Sequence, residues 1–202
     1  MNEPGGTTLQ MVTVRWWNAS AYYAVSVARA LQMAGYPSIV ASPEHYPATA
    51  RARQANLTVF SGARTELLNP LRIVGNLVAL KRFIAHHNIR FLNVHRPEDH
   101  AHAALLRSVM NVPIPVIRTV TDVRFPKKHA VNRWIHQRYT DYFIFSSRSS
   151  VERYQSVWPF FEEGKNYTII PGGIDTDYFT PRTASPSNEP LWVLTGMPWC
   201  LA

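Results

Sequence analysis

The densest group of chemically active side chains lies near the middle of the chain. Within six positions the sequence places two histidines, an arginine and two acidic residues: His95, Arg96, Glu98, Asp99 and His100. Imidazoles and carboxylates can act as general acids or bases, and a guanidinium adds hydrogen-bond donors for a polar substrate. The apolar run 91–94 directly before them predicts a β-strand. We therefore expect His95 to face a binding site at a strand end and Asp99 to cap the following helix.

The same group raises the question of a metal. His95, Asp99 and His100 carry ligand atoms, but their spacing matches no established ligand pattern. We therefore predict no metal site.

A second candidate group is basic and follows the next apolar run, 115–119. Arg118 and Arg124 could bind a phosphate or carboxylate together, because guanidinium groups donate paired hydrogen bonds to such anions. A solvated loop is the alternative, and it is the better interpretation of Lys127 and Lys128.

The helix predicted at 129–138 combines aromatic and basic residues. Trp134 and Ile135 alternate with Arg133, His136 and Arg138. A helix of this kind can lie on an anionic membrane. It is more often an ordinary helix, and we expect Trp134 to lie in the core.

Two further segments have the composition of special backbone turns. Asn18, Ala19 and Ser20 open a predicted helix, where exposed N–H groups could bind an anion or Asn18 or Ser20 could simply cap the helix. No G-x-G-x-x-G motif accompanies them, so a dinucleotide site is unsupported. The segment Pro171, Gly172, Gly173 and Asp175 predicts a rigid turn between domains.

These groups are positioned by short apolar runs that alternate with helical patterns. Strands are predicted at 9–16, 38–41, 57–60, 91–94, 115–119, 142–145 and 167–170. Helices are predicted at 21–35, 47–55, 69–87, 99–110, 129–138 and 149–157, the third from an apolar stripe at Leu71, Val74, Val78 and Phe83/Ile84. This alternation predicts a doubly wound α/β domain, Rossmann-like, with a mostly parallel sheet and helices on both faces. In such sheets ligands bind at the carboxyl ends of the strands.

Composition limits the classes of partner. The chain has 202 residues, 46% of them apolar, one cysteine and a net charge of +8. A single cysteine makes no internal disulfide, so we expect a reducing, cytoplasmic location, with peripheral contact to the inner face of the cell membrane as an alternative. The charge favours an anionic partner, although an inert basic surface is equally consistent with it. No run of five basic residues and no RNA-binding consensus occurs, so we expect no nucleic-acid partner.

The sequence also predicts where the domain ends. Residues 180–190 are rich in proline and serine and read as a linker, and 191–194 form one more strand-like run. One strand cannot build a second core. We therefore expect one domain at 1–179, a linker at 180–190 and a remnant of a further domain at 191–202.

The segment 169–179, IIPGGIDTDYF, closely resembles the domain junction of glycosyltransferase family 4. Residues 95–138 and 15–23 are similar to the amino-terminal domain of bacterial members, especially the lipopolysaccharide-core transferases. The resemblance implies the GT-B architecture, in which two doubly wound domains face each other across a cleft. It also implies transfer of a sugar from a nucleotide diphosphate to a cell-envelope glycan or lipid acceptor, with retention of anomeric configuration. It implies no cofactor and no obligate metal.

The resemblance also implies roles for individual residues. His95 matches a histidine that reaches the transferred sugar, and the segment 18–20 matches the loop near the donor phosphates, although the family usually has two glycines there. The acceptor side would comprise Arg96, Glu98, His100, Arg118, Thr119, Asp122 and Arg124.

The donor-binding domain of the family is missing from this sequence. We therefore expect a truncated or split product that is weakly active or inactive without a separate donor-domain chain. The alternative from the same sequence is a non-catalytic module that binds an anionic glycan or the membrane surface.

Overall fold

The computed structural model describes residues 6–65, 69–121, 124–174 and 176. These residues form seven β-strands and six α-helices in strict alternation. In chain order they are β1 (Thr7–Met11), α1 (Ala19–Met33), β2 (Ser38–Ala41), α2 (Pro47–Gln54), β3 (Thr58–Phe60), α3 (Pro70–His86), β4 (Ile89–Val94), α4 (Pro97–Ser108), β5 (Val116–Val120), α5 (Ala130–Arg138), β6 (Tyr142–Phe145), α6 (Arg148–Val157) and β7 (Tyr167–Ile169).

All neighbouring strands of the described sheet run parallel, in the order β3-β2-β1-β4-β5-β6-β7. The chain moves outward from β1 to β3, crosses back to β4 and then continues to β7. This order confirms the predicted doubly wound α/β fold. Its direction reverses between β1 and β4, and such a reversal opens a crevice at the carboxyl ends of those two strands.

Apolar side chains project from both faces of the sheet and pack against helices. On one face, Leu9 and Leu92 join a buried cluster with Leu77 of α3 and Leu106 of α4. On the other face, Val12 and Val40 pack with alanines of α1 and α2. Because side chains alternate along a strand, Gln10, between Leu9 and Met11, and Asn93, between Leu92 and Val94, point to the second face.

Local signals in the sequence define several helix ends. The side-chain oxygen of Asn18 accepts a hydrogen bond from the backbone N–H of Ala21 at 3.1 Å, and that of Asn69 accepts one from Leu71 at 3.0 Å. Gly35 follows α1 with a φ of 85°, a left-handed conformation that glycine adopts without strain. Of the two alternatives left open for Asn18, the structure shows helix capping, and Asn69 and Gly35 mark the start of α3 and the end of α1.

The first strand is shorter than its apolar sequence suggests. The prediction extended it to Trp16, whereas β1 ends at Met11 and Trp16 is 74% exposed. Met11 pairs with the last residue of β2, Ala41, and with the last residue of β4, Val94. Beyond Met11 neither neighbour continues as a strand, so the segment leaves the sheet.

The helix after β4 begins earlier than predicted. Arg96 is extended and occupies the N-cap position, and Pro97 starts α4. Asp99 therefore lies inside the first turn, fully buried, and the prediction that it caps the helix is wrong.

The predicted apolar stripe of α3 is wrong in its first half and right at its end. Leu71 is 84% exposed and Val74 is 51% exposed, whereas Ile84 is buried as predicted, together with Leu77 and Leu80. The helix carries two overlapping apolar stripes, and only packing against the sheet and α4 decides which one is buried.

Trp134 does not lie in the core as predicted, because 51% of its surface is exposed. His136 is buried instead, and its ring lies 4.6 Å from that of Trp158 and 5.7 Å from that of Phe143. α5 is therefore turned so that a histidine faces the protein interior.

Contacts divide the chain into two units, Met1–Gly172 and Gly173–Ala202. The predicted linker and the strand-like run after it lie outside the described residues, as do Asp122 and Asp175. Within the described part of the chain, no helix is long and apolar enough to cross a lipid bilayer.

Candidate functional site

A stripe of buried polar side chains crosses the centre of the sheet. Gln10 of β1 and Asn93 of β4 are partners in register, and Asn93 Nδ2 donates to Gln10 Oε1 at 2.8 Å. Thr119 of β5 continues the stripe, because its hydroxyl donates to Asn93 Oδ1 at 2.7 Å. The Gln10 amide also donates to the hydroxyl of Thr8 at 3.4 Å. Polar groups in a sheet interior are costly unless they are paired, and these pairings keep the stripe in place.

His95 lies where this stripe reaches the carboxyl end of β4. Its backbone N–H donates to the carbonyl of Met11 at 3.0 Å, which places it at the reversal point between β1 and β4. Its Nε2 lies 3.1 Å from Gln10 Oε1. That oxygen can only accept, so Nε2 carries the proton and Nδ1 is left as an acceptor. Nδ1 is buried and has no partner among the described residues.

Burial also fixes the charge of this imidazole. Only 2% of the His95 surface is exposed. Desolvation, with a smaller contribution from the positive charge of Arg118, lowers the pKa of His95 to about 3. The ring is therefore neutral at physiological pH. It can accept a hydrogen bond at Nδ1, but it is not a proton donor of the imidazolium type.

Asp99 joins three segments at the same edge of the sheet. Its carboxylate accepts hydrogen bonds from the backbone N–H of Thr13 at 3.2 Å, from the hydroxyl of Thr65 at 2.8 Å and from the hydroxyl of Thr13. Thr13 follows β1, Thr65 follows β3, and Asp99 belongs to α4. Burial raises the pKa of Asp99, and the hydrogen bonds from Thr13 and Thr65 oppose that shift.

Two predicted acceptor-side residues strengthen the same junction. The guanidinium of Arg96 donates to the backbone carbonyl of Thr13 and forms an ion pair with Glu98 at 3.2 Å. Both charged side chains are partly exposed. Arg96 and Glu98 thus lie beside His95 in sequence and remain reachable from solvent.

Arg118 occupies a different environment from the one predicted. It lies within β5 with 2% of its surface exposed, and it donates to the carbonyl of Val94 at 3.1 Å. Arg124 is exposed. The two arginines therefore do not form an open clamp for an anion, because the residue position within β5 directs Arg118 into the protein.

His100 is also internal. Its Nε2 lies 2.7 Å from the hydroxyl of Thr140, and that hydroxyl donates to the carbonyl of Ile135 at 3.2 Å. Nε2 of His100 is therefore the donor. Burial, together with His136 and Arg118, lowers the pKa of His100 well below its ordinary value. His100 thus packs towards α5 and not into the crevice.

The segment predicted to approach donor phosphates lies at the helix start. Asn18 caps α1, as described above, and Ala19 is its first residue. The hydroxyl of Ser20 lies 2.6 Å from that of Thr121, which follows β5. This contact links the start of α1 to the carboxyl edge of the sheet. Anion binding by the segment stays a prediction.

Tyr23 was not singled out in the sequence, and it connects the site to the segment after β7. Its hydroxyl donates to the carbonyl of Ile170 at 2.8 Å, and its ring lies 6.2 Å from the His95 ring. A Cβ atom on Gly172 would lie 3.6 Å from the Tyr23 ring. Pro171, Gly172 and Gly173 are exposed. In the sequence, Tyr23 is one aromatic residue of a predicted helix, and nothing near it indicates a contact with Ile170 or His95.

Metal ligands are not assembled at this site. In residues 6–65, 69–121, 124–174 and 176, no group of three His, Cys, Asp or Glu side chains could hold a metal ion. His95, Asp99 and His100 are engaged separately, with Gln10, the two threonines and Thr140.

The fold is that of a GT-B glycosyltransferase domain. The chain belongs to Glycosyltransferase Family 4, whose sequence profile matches residues 20–178. No curated protein sequence matches the chain significantly.

Solved structures of similar fold extend beyond this domain. A glycosyltransferase from Rickettsia africae is 15% identical with a TM-score of 0.72, over 92% of this chain and 47% of its own. Anabaena HepE in complex with UDP-glucose is 11% identical with a TM-score of 0.65, over 86% of this chain and 46% of its own. The lipopolysaccharide outer core galactosyltransferase WaaB is 8% identical with a TM-score of 0.60, over 82% of this chain and 45% of its own. The chain therefore spans about half the length of these proteins.

Proposed function

We propose that this chain is the acceptor-side domain of an enzyme that transfers a sugar from a nucleotide-diphosphate donor, with retention of anomeric configuration. The observation that carries the proposal is the neutral His95, whose buried Nδ1 is an unused acceptor at the reversal point of a family 4 domain. UDP-glucose bound to HepE supports a nucleotide sugar as the donor class. We propose no further cofactor.

His95 would accept a hydrogen bond from a hydroxyl group of the donor sugar. A neutral imidazole suits this role, because its Nε2 proton is held by Gln10 and only Nδ1 remains to receive a donor. The ring is covered in this structure. A sugar therefore reaches Nδ1 only after the surroundings of the ring, including Tyr23, shift. Because Tyr23 also contacts Ile170, the shift would involve the segment that leads out of the domain.

The acceptor would bind along the same edge. Arg96 and Glu98 are partly exposed beside His95, and exposed Arg124 follows β5. Charged side chains of both signs suit the hydroxyl and acidic groups of a cell-envelope glycan or a glycolipid. The activity that the name of WaaB states supports an acceptor of this class.

A donor-binding domain would complete the enzyme, supplied within a longer protein or by a separate chain. Precise positioning of two reactants accounts for much of the rate of a transfer reaction. The isolated chain would therefore turn over poorly. We propose a cytoplasmic location, where nucleotide sugars would be its co-substrates.

A transfer assay tests this proposal. The chain is assayed with labelled UDP-glucose and a mixed lipid-glycan extract, alone and fused to the donor domain of HepE, which binds UDP-glucose, with whole HepE as the positive control. We expect no transfer by the chain alone and transfer by the fusion. His95→Ala in the fusion should lower kcat by about 10²–10³-fold, the usual effect of removing a hydrogen bond made in the transition state.

His86 provides the matched control, because it is an exposed histidine at the end of α3, away from the crevice. His86→Ala should leave transfer unchanged. Transfer by the isolated chain at the rate of the fusion would contradict the need for a donor domain. A folded fusion that transfers no sugar, or one in which His95→Ala keeps full activity, would contradict the proposed site.

A further inference from the structure

The stripe of polar side chains in the sheet interior extends beyond the strands that carry the candidate site. The hydroxyl of Thr8 lies 2.8 Å from that of Ser38, its partner in register at the start of β2. Each member of the stripe is at most 3% exposed, and together they form one hydrogen-bonded series: Ser38, Thr8, Gln10, Asn93 and Thr119. The imidazole of His95 joins this series at Gln10 Oε1.

The series has a direction, because an amide group donates at one end and accepts at the other. The hydroxyl of Thr119 donates to Asn93 Oδ1, so Asn93 turns its Nδ2 towards Gln10 Oε1. The amide nitrogen of Gln10 in turn donates to the hydroxyl of Thr8. Gln10 therefore presents its oxygen to His95, and the imidazole carries its proton on Nε2.

A reversed series would give His95 the opposite character. If both amide groups were turned over, Gln10 would present its NH2 group to His95 Nε2, and the ring would carry its proton on Nδ1. The bonds of Gln10 to Thr8 and to Asn93 could form again with donor and acceptor exchanged. The buried hydroxyl of Thr119 would then accept from Asn93, and its proton would lose the partner that it has in this structure. A buried donor without a partner is unfavourable, so Thr119 selects the observed direction.

We propose that Thr119 and Asn93 are positioning residues, which act through Gln10 to hold the His95 proton on Nε2 and to leave Nδ1 as the acceptor for a ligand hydroxyl. The hydrogen bond at one imidazole nitrogen sets the tautomer of the ring, and a catalytic imidazole in the wrong tautomer loses most of its activity. The role of the ligand rests on the proposed function. The tautomer itself does not, because it can be observed in the free domain.

Stability alone does not account for the series. Replacing both partners of a buried hydrogen bond by apolar groups of the same shape can be nearly neutral for stability. Apolar side chains at positions 93 and 119 would therefore fill the sheet interior about as well. Only hydrogen-bonding side chains hold Gln10 with its oxygen towards the imidazole.

Thr119→Val tests the direction of the series with little change in side-chain shape. The complete 202-residue chain is isotope-labelled at histidine, and NMR at pH 7.5 shows which ring nitrogen of His95 carries the proton. In the unaltered chain it should be Nε2. Because valine cannot donate to Asn93, the two directions become similar in energy, and about half of the Thr119→Val molecules should carry the proton on Nδ1.

Thr119→Ser is the matched variant, because serine keeps the hydroxyl and loses only a methyl group. It should keep the proton on Nε2. The resonances of exposed His86 should be the same in both variants and serve as the internal reference.

Asn93→Asp should reverse the series completely. An ionised carboxylate at position 93 can only accept, so Gln10 must turn its nitrogen towards it, and His95 should then carry its proton on Nδ1. Asn111→Asp, at an exposed asparagine, controls for the added charge and should leave the tautomer unchanged. If Asn93→Asp does not fold, the comparison of Thr119→Val with Thr119→Ser still decides.

Sugar transfer gives a separate readout in the fusion with the donor domain of HepE. Thr119→Val should lower kcat by about twofold, in proportion to the molecules with the wrong tautomer, and Thr119→Ser should restore it. Asn93→Asp should lower kcat by about 10²-fold, close to the effect of removing the imidazole. A fusion that transfers no sugar would contradict the proposed function and would leave the tautomer result standing.

Three results would overturn the positioning role. The first is a proton on His95 Nδ1 in the unaltered chain. The second is a Thr119→Val chain, or a folded Asn93→Asp chain, in which the proton stays entirely on Nε2, since the series would then be structural only. The third is a Thr119→Ser chain that changes the tautomer as much as Thr119→Val does.

Discussion

Replacing Asp99 by alanine should destabilise the domain and loosen the edge of the sheet that carries His95. The carboxylate is fully buried and accepts hydrogen bonds from Thr13 and Thr65. In the alanine variant the two hydroxyls can still bond each other, since they are already in contact. The backbone N–H of Thr13 then has lost the partner it has in this structure.

The magnitude follows from these contacts. A hydrogen bond to a charged group contributes about 1.5–3 kcal/mol, and a buried donor without a partner costs about 1–3 kcal/mol. Loss of these three bonds is offset in part, because the alanine variant does not bury a carboxylate. Burial of that carboxylate away from water is unfavourable, and it is also the cause of the raised pKa of Asp99. We expect Asp99→Ala to lower the free energy of unfolding by about 2–4 kcal/mol. Asp99→Asn should lower the free energy of unfolding by less than Asp99→Ala. The asparagine keeps one acceptor oxygen, but its amide N–H group faces the donors of Thr13 and Thr65.

Urea unfolding of the chain measures this change. The slope of the free energy of unfolding against urea concentration should stay the same, which would show that the folded state stays compact. Glu152→Ala is the control, because Glu152 is exposed on α6, and it should change stability by about 0.5 kcal/mol or less. An Asp99→Ala variant as stable as the Glu152→Ala variant would refute the reasoning that Asp99 joins the segments after β1 and β3.

Acid should destabilise the domain, because the pKa values of His95 and His136 are lowered from 6.5 to about 3 and about 4 by burial. The contribution of the two neutral imidazoles to the free energy of unfolding is complete above pH 6.5, the pKa in the unfolded chain. It is lost as pH falls towards their pKa values in the folded domain. At pH 5.5 it amounts to a loss of about 3 kcal/mol for the pair, measured by urea unfolding at pH 7.5 and 5.5. His136→Phe should weaken this pH dependence, and an unchanged one would contradict it. Tyr23→Phe removes the hydrogen bond to Ile170 and should cost about 1 kcal/mol by the same measurement, whereas no change would show that the contact is unimportant. Asn18→Ala should also cost about 1 kcal/mol by loss of the helix cap, and Asn18→Gly much less; equal effects would argue against capping.

The fold could be predicted from the sequence because its signals are local and repeat. Short apolar runs, the Asn-Pro helix start at position 69 and the glycine at position 35 each act within a few residues. The alternation of strands and helices then leaves few topologies, since parallel connections are right-handed. The position of His95 at the end of β4 follows directly from this regularity.

The parts that the sequence could not reveal depend on distant contacts. Asp99 resembles a helix cap locally, but its partners Thr13 and Thr65 are 86 and 34 positions away. The orientation of α5 is decided by the aromatic rings around His136, which come from β6, from α6 and from Trp158 directly after α6. Periodicity identifies a helix more reliably than it identifies the buried face.

The state of His95 when a sugar binds tests the central claim most directly. In isotope-labelled protein, NMR distinguishes the two ring nitrogens, and the free domain should show a proton on Nε2 at neutral pH. When UDP-glucose is added to the fusion with a donor domain, the Nδ1 resonance of His95 should shift as it accepts a hydrogen bond, while that of exposed His86 stays in place. An unchanged Nδ1 resonance under conditions in which sugar transfer proceeds would contradict the account.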